Sequence, residues 1–287
     1  MKPSLRSALV AKEFVLAPGV HDLIAAAIFN THGFRFAYAS GYWMTASTYG
    51  LPDAGIATYT QMVDRVRTLC AGVQAGVIAD ADTGYGGLLN VHHTVRGYED
   101  AGVVGIQIED QEFPKKCGHT PYKRVIPTGD MVDKIKVACA ARRNPQETLI
   151  IARTDARQTG GFADVVARLK AYSDAGADVL FAEALTSDDE MREVCRLFDK
   201  PVMANMADGG LTPIRSARDL AKLGYAMAIF PATSALAAAH AIDRAFSVLE
   251  STGTSDSPDL PLFPFKRFNS LIGFEDVWEF ERKWAQP

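Results

Sequence analysis

The chain is predicted to be an α/β protein, a (β/α)8 barrel of the TIM type followed by C-terminal helices. Three observations predict it. One unit recurs along the sequence: an amphipathic run, a glycine, then a short apolar run ending in a polar residue. It reads "THGFRFAYAS", "EDAGVVGIQIED", "SDAGADVLFAEA" and "KLGYAMAIFP". The glycine stops a helix, because positive φ costs little without a Cβ. The apolar run after it suits a strand buried on both faces, as in a parallel sheet. The second observation is the count, since eight such runs alternate with helical patterns, and a barrel of that kind takes about 250 residues. The third is an absence. A doubly wound sheet would usually use fewer strands and carry a glycine-rich phosphate turn after the first one, and none is present.

The expected strands are 14–18 ("FVLAP"), 35–40 ("RFAYAS"), 77–82 ("VIADAD"), 105–110 ("GIQIED"), 149–155 ("LIIARTD"), 179–184 ("VLFAEA"), 201–206 ("PVMANM") and 226–231 ("AMAIFP"). Helical patterns such as "YTQMVDRVRTLCAGV" and "FADVVARLKAYSDAG" lie between them. Residues 1–250 are thus read as a catalytic barrel domain. Residues 251–287 are read as a polar linker, "STGTSDSPDLP", and a helix, "FEDVWEFERKWA", with aromatic residues on one side. A linker of that length lets the last helix pack on its own barrel or on a neighbouring subunit.

Composition excludes several classes of function. Of 287 residues 48% are hydrophobic, enough for one large core, and the net charge of -4 comes with no basic block for nucleic acid. No apolar run approaches the roughly 18 residues of a membrane span, and the first residues lack the apolar core of a signal peptide. Cys70, Cys117, Cys139 and Cys195 show no framework spacing, which favours reduced thiols and a cytoplasmic protein. The three cysteines other than Cys117 lie in helical patterns and are expected in the core.

In such barrels the active site forms at the C-terminal ends of the strands. Here those ends carry Ser40, Asp80, Asp82, Glu109, Arg153, Glu183 and Asn205, which would converge on one polar cup. Period-two alternation points Asp80 and Asp82 the same way, with Glu109 on the next strand. Three such carboxylates repel unless protons or a cation intervene. Oxygen ligands without histidine favour Mg²⁺ or Mn²⁺, although binding to backbone amides and arginines is the alternative. Arg153 could fork onto a substrate carboxylate or neutralise Glu109 or Glu183.

The segment "EDQEFPKKCGH", 109–119, places Cys117 between Lys115, Lys116 and His119, cationic neighbours that should favour the thiolate or ready proton transfer. Gly118 allows a sharp or mobile backbone. The 111–127 connection is long for a β/α loop and suits a lid, or else it is a solvated loop with an incidental cysteine.

Taken in order from about residue 10 to 250, "SGYWMTASTYGLPDAG", "DADTGYGG", "IEDQ…KKCGH", "ARTDA", "FAEA" and "ANMADGGLTP" resemble the isocitrate lyase/phosphoenolpyruvate mutase superfamily. "KKCGH" resembles the lyase branch, and the short chain is similar to its methylisocitrate lyase, dimethylmalate lyase and petal death protein groups. The resemblance implies that Cys117 is a catalytic acid on a gating loop, with Lys116, Gly118 and His119 closing over the substrate. It implies that Ser40, Gly41 and Tyr42 hold the keto-acid end, that Asp80 ligates Mg²⁺ with Asp53, Asp82 and Glu109 acting mostly through water, and that Arg153, Glu183 and Asn205 line the pocket. It further implies a homotetramer that exchanges a C-terminal helix. Gln107, Tyr42 followed by Trp43, and Pro231 depart from the methylisocitrate lyase and oxaloacetate hydrolase patterns. The expected activity is therefore Mg²⁺-dependent carbon–carbon cleavage of a 2-hydroxy dicarboxylate to a 2-keto acid and a carboxylate. Oxaloacetate hydrolysis and phosphonate chemistry remain as alternatives.

Overall fold

The computed structural model describes residues 2–285, so the last two residues of the 251–287 segment lie outside the described residues. Eight parallel strands are present: β1 (Val15–Pro18), β2 (Phe36–Ala39), β3 (Gly76–Asp80), β4 (Gly105–Glu109), β5 (Leu149–Thr154), β6 (Val179–Ala182), β7 (Val202–Asn205) and β8 (Met227–Phe230). Their order is β1-β8-β7-β6-β5-β4-β3-β2. A bridge between Gly19 and Tyr38, with the Val20 N–H donating to the Tyr38 carbonyl at 2.9 Å, joins β1 to β2 and completes the ring.

The strands are nearly continuous apolar runs because both of their faces are covered. Outward residues such as Val77, Ile106, Ile108 and Leu180 pack under the helix ring. Inward residues such as Phe36, Tyr38, Ile151, Phe181 and Met203 fill the lumen. The helix Leu5–Val10 closes the floor. Leu5 is fully buried in the lumen cluster and lies beside Gly105, the first residue of β4. The free end of the barrel is therefore the C-terminal one.

Every strand but β1 stops one or two residues before its apolar-polar run ends. The expectation that Asp80 and Asp82 project from one strand face is corrected here. Asp82 lies beyond β3 with φ 49°, and its N–H donates to its neighbour's Asp80 Oδ1 at 3.0 Å. That local side-chain bond, an Asx turn, outcompetes strand pairing. The expectation that the other cysteines are core holds for Cys70, whereas Cys139 and Cys195 are half-buried.

After β8 comes the helix Thr233–Thr252, then two short helices, Phe265–Leu271 and Phe274–Trp284. The first of the two falls where the sequence offered no helical reading. At seven residues it is too short to display a period. Neither short helix has a buried residue, and Phe265, Phe280 and Trp284 are all more than 60% exposed. No helix among the described residues is long and apolar enough to cross a membrane.

Ring closure generates a prediction. A Cβ on Gly19 would fall 2.2 Å from the Pro231 carbonyl oxygen, a backbone atom held by β8. Gly19→Ala should therefore cost about 1–3 kcal/mol of stability. Urea denaturation with an unchanged midpoint would show that this seam is looser than described.

Candidate active site

Asp80, at the C-terminal end of β3, is fixed by three donors. They are Gln107 Nε2 at 3.1 Å, the Gly41 N–H at 3.3 Å and the Asp82 N–H. Gln107 is itself set by the buried Tyr38 hydroxyl at 2.7 Å. Gly41 opens the helix Gly41–Tyr49, so the N-terminal end of that helix points at this carboxylate. Behind Asp80, Lys115 is almost fully buried, and its ammonium lies 2.5 Å from both Asp53 Oδ1 and Asp82 Oδ1. Burial pushes the Asp82 carboxyl up to about 7, aided by the neighbouring Asp80 and Asp53 charges and opposed by Lys115.

Arg153, at the end of β5, makes a two-pronged contact with Asp155: Nε to Oδ2 at 2.8 Å and Nη2 to Oδ1 at 3.0 Å. It also lies 3.4 Å from Glu109 and 3.3 Å from Glu183. Burial raises the Glu109 carboxyl well above the ordinary range despite the Arg153 charge, and Glu109 Oε1 has no hydrogen-bond partner. Glu183 accepts from Asn205 Nδ2 at 3.0 Å and from the Ala184 N–H at 2.9 Å.

The 111–127 loop folds over this group. Gln111 and Val125 form an antiparallel bridge at its base, and the Gln111 amide grips the Lys116 backbone from both sides, at 2.8 and 3.0 Å. Gly118 rests on the site floor. A Cβ there would stand 2.2 Å from Arg153 Nη2 and 2.7 Å from Glu183 Cγ, so only glycine fits this approach. His119 Nδ1 accepts the Leu211 N–H at 3.1 Å, and its Nε2 lies 3.3 Å from both Glu183 Oε1 and Asn205 Nδ2. The imidazole is thus held by Leu211, Glu183 and Asn205.

Of the two readings the sequence left for Cys117, a thiolate or ready proton transfer, the first is disfavoured. Burial raises the thiol's pKa, and the N–H of His119 only partly offsets it. The lysine charges are directed elsewhere, Lys115 to Asp53 and Asp82, and Lys116 outward over the Tyr122 ring at 5.9 Å. Burial therefore favours the thiol over the thiolate at Cys117.

The enclosed cavity measures about 350 Å³. Of the fourteen residues picked from sequence, twelve line it: Ser40, Tyr42, Asp53, Asp80, Glu109, Lys116, Cys117, Gly118, His119, Arg153, Glu183 and Asn205. Gly41 and Asp82 stand just behind, the first bonded to Asp80 and the second to Lys115. Sequence reasoning missed Lys115 as a site residue, and missed an apolar wall of Trp43, Ile229 and Leu236. The acidic excess itself was the available signal for Lys115.

Among the described residues no three histidine, cysteine or acidic side chains converge into a ready-made metal cage. The donor chemistry still suits a small hard cation, which binds through one or two carboxylates and keeps several waters. Asp80 faces the cavity, and Glu109 presents a buried oxygen without a partner.

A family model described as phosphoenolpyruvate phosphomutase matches residues 5–249. The chain belongs to that family. It is an enzyme of the isocitrate lyase/phosphoenolpyruvate mutase superfamily. The 2,3-dimethylmalate lyase of Eubacterium barkeri is 40% identical over 281 residues, 98% of this chain and 97% of that protein. Among solved structures of family-like barrels, an oxaloacetate acetylhydrolase with 3,3-difluorooxalacetate aligns with a TM-score of 0.92 at 31% identity, covering 99% and 97% of the two chains. A phosphonopyruvate hydrolase complexed with oxalate and Mg²⁺ aligns at 0.87 and 27%, covering 98% of each.

The raised thiol pKa predicts a titration. Iodoacetamide labelling of Cys117, followed by peptide mass spectrometry against pH, should have its midpoint above the value of about 8.5 for a free cysteine. A midpoint below 8 would restore the thiolate.

Proposed function

We propose that this enzyme is a Mg²⁺-dependent carbon–carbon lyase that cleaves a 2-hydroxy dicarboxylate of the 2-alkylmalate type. The observation that carries the reading is the Cys117 thiol itself, placed by the loop over a cavity of acids and one arginine, where burial disfavours its ionisation. A neutral acid of that kind suits delivery of a proton to a carbanion. The identity to a 2,3-dimethylmalate lyase supports it.

Asp80 would hold the magnesium ion, with Asp53, Asp82 and Glu109 around it. The bound ion would supply Lewis-acid charge for the substrate hydroxyl and its adjacent carboxylate. Ser40 and the helix N-terminus at Gly41 and Tyr42 would orient the keto-acid end. A base, Glu183 or Tyr42, takes the hydroxyl proton. The C2–C3 bond then breaks, leaving a 2-keto acid and placing its electron pair on the carbon beside the second carboxylate. Arg153 offsets that charge, with Lys116 and the His119 N–H as further donors. Cys117 gives the carbanion its proton. Charge supply supports a dicarboxylate over a tricarboxylate, because Lys115 and Arg153 are already ion-paired with the site's own carboxylates and a third substrate carboxylate would add to that acidic excess.

Oxaloacetate hydrolysis is the second reading, favoured by the barrel likeness to the acetylhydrolase. Against it, Pro231 and Ala232 line the cavity while the nearby hydroxyls are committed. Thr233 Oγ1 donates to Asp208, and Ser234 Oγ donates to the Gly19 carbonyl. Phosphonate chemistry, the third, has no evident use for the thiol.

The reading extends to assembly. The barrel of residues 1–250 is the catalytic unit, and residues 251–287 are an assembly segment whose exposed aromatics would cover a second copy in a cytoplasmic homotetramer. Light scattering should give four chains per particle, and a monomer at micromolar concentration would refute it.

Activity is tested with 2-alkylmalates, methylisocitrate and oxaloacetate, detecting keto acid and oxalate separately. EDTA should abolish turnover and Mg²⁺ or Mn²⁺ should restore it. Cys117→Ser should lose about 10²–10⁴ in rate, the range of general acid catalysis. Full activity in chelator refutes the metal site, and near-normal turnover by the serine variant refutes the proton donor.

A further inference from the structure

We propose that Lys123 is a positioning residue that holds Cys117 in place by tying the closed loop to the carboxylate that orients Arg153. The outer positions of the loop face solvent: Glu112, Phe113, Pro114, Tyr122 and Arg124 are all exposed. Lys123 alone among residues 121–124 turns inward, after Tyr122 at φ 65°, and only 1% of its side chain reaches solvent. A lysine with that burial needs compensation, because an unpaired ammonium inside a protein is costly.

The compensation comes from two sides. The Lys123 ammonium donates to the Gly118 carbonyl, inside the loop, and to Asp155 Oδ1 at 2.9 Å, on the barrel. The same Asp155 oxygen accepts from Arg153 Nη2 at 3.0 Å. Asp155 is anchored from behind, its N–H donating to Asp110 Oδ1 at 2.9 Å, and Asp110 in turn is held by Thr154, Tyr172 and Arg168. Lys123 therefore joins the loop to the barrel. It can be both buried and paired only when Gly118 lies on Arg153 and Glu183, which is the position that seats Cys117 over the cavity. Loop closure and the aim of the arginine become one event. None of the chemistry proposed above uses Lys123.

The test is peptide-resolved iodoacetamide labelling of Cys117 in the full-length protein at one pH, with the urea-unfolded chain as reference and the half-buried Cys139 as internal control. It needs no turnover, so it stands apart from the substrate assignment. Wild-type Cys117 should label far more slowly than in urea. Lys123→Met should speed Cys117 about tenfold or more and leave Cys139 unchanged. Loss of a nearby positive charge would by itself slow the reaction by disfavouring the thiolate, so an acceleration reports access. Lys123→Gln, a second variant in case the first does not fold, should behave likewise, and Lys123→Arg, which keeps the charge, should recover part of the protection. The proposal is overturned if the uncharged variants label Cys117 at the wild-type rate, if Cys139 accelerates equally, or if wild-type Cys117 already reacts as in urea.

Discussion

The site is governed by a shortage of positive charge. Asp80, Asp82, Glu109, Asp155 and Glu183 are buried at the barrel mouth with Asp53 beside them, and Arg153, Lys115 and Lys123 are the cations buried among them. Coulomb repulsion among carboxylates removed from water is severe, and the molecule relieves it in two visible ways. Some acids keep protons at higher pH than usual, as Asp82 and Glu109 do. Others draw lysines inward: Asp155 sits below the ordinary carboxylate range because Arg153 and Lys123 outweigh its burial. Both lysines come from the 111–127 loop. The loop is thus pulled onto the barrel by the same charge deficit that would attract a divalent cation.

Burial does opposite things to neighbouring groups here. It raises the Cys117 thiol, and by itself it would lower the Arg153 guanidinium, but the Asp155, Glu109 and Glu183 carboxylates packed against Arg153 outweigh it and hold that group cationic. One pocket is therefore lined by a thiol that ionises reluctantly and by a firmly charged arginine.

Most of the barrel was legible in the sequence because its strands are covered on both faces, so their apolar runs are uninterrupted and countable. The strand-end positions followed from the fold, which is why Asp80, Glu109, Arg153, Glu183 and Asn205 could be placed together without coordinates. The failures share a cause. Asp82 was assigned by strand period, but a side-chain bond to its own backbone ended the strand first. Lys115 and His119 were read as cations acting on Cys117, but their partners, Asp53, Asp82 and the Leu211 N–H, come from elsewhere in the chain. Linear proximity suggested that these charges act on Cys117, and three-dimensional pairing directs them elsewhere. Lys123 drew no notice because nothing in "PYKRV" distinguishes an inward lysine from a solvated one.

The seam between β1 and β8 has a consequence for how the protein is made. Val15 pairs with Met227 and Pro18 with Phe230, so the first strand synthesised waits for the last before its open edge is covered. On the ribosome, every shorter chain exposes the backbone donors and acceptors of β1 on one side and of the newest strand on the other. The bridge at Gly19 and Tyr38 can secure β1 to β2 early, but the ring itself closes only once β8 has been made. A nascent chain stalled before residue 227 is therefore a sheet with two adhesive margins, the form in which this protein is most exposed to chaperone capture and aggregation.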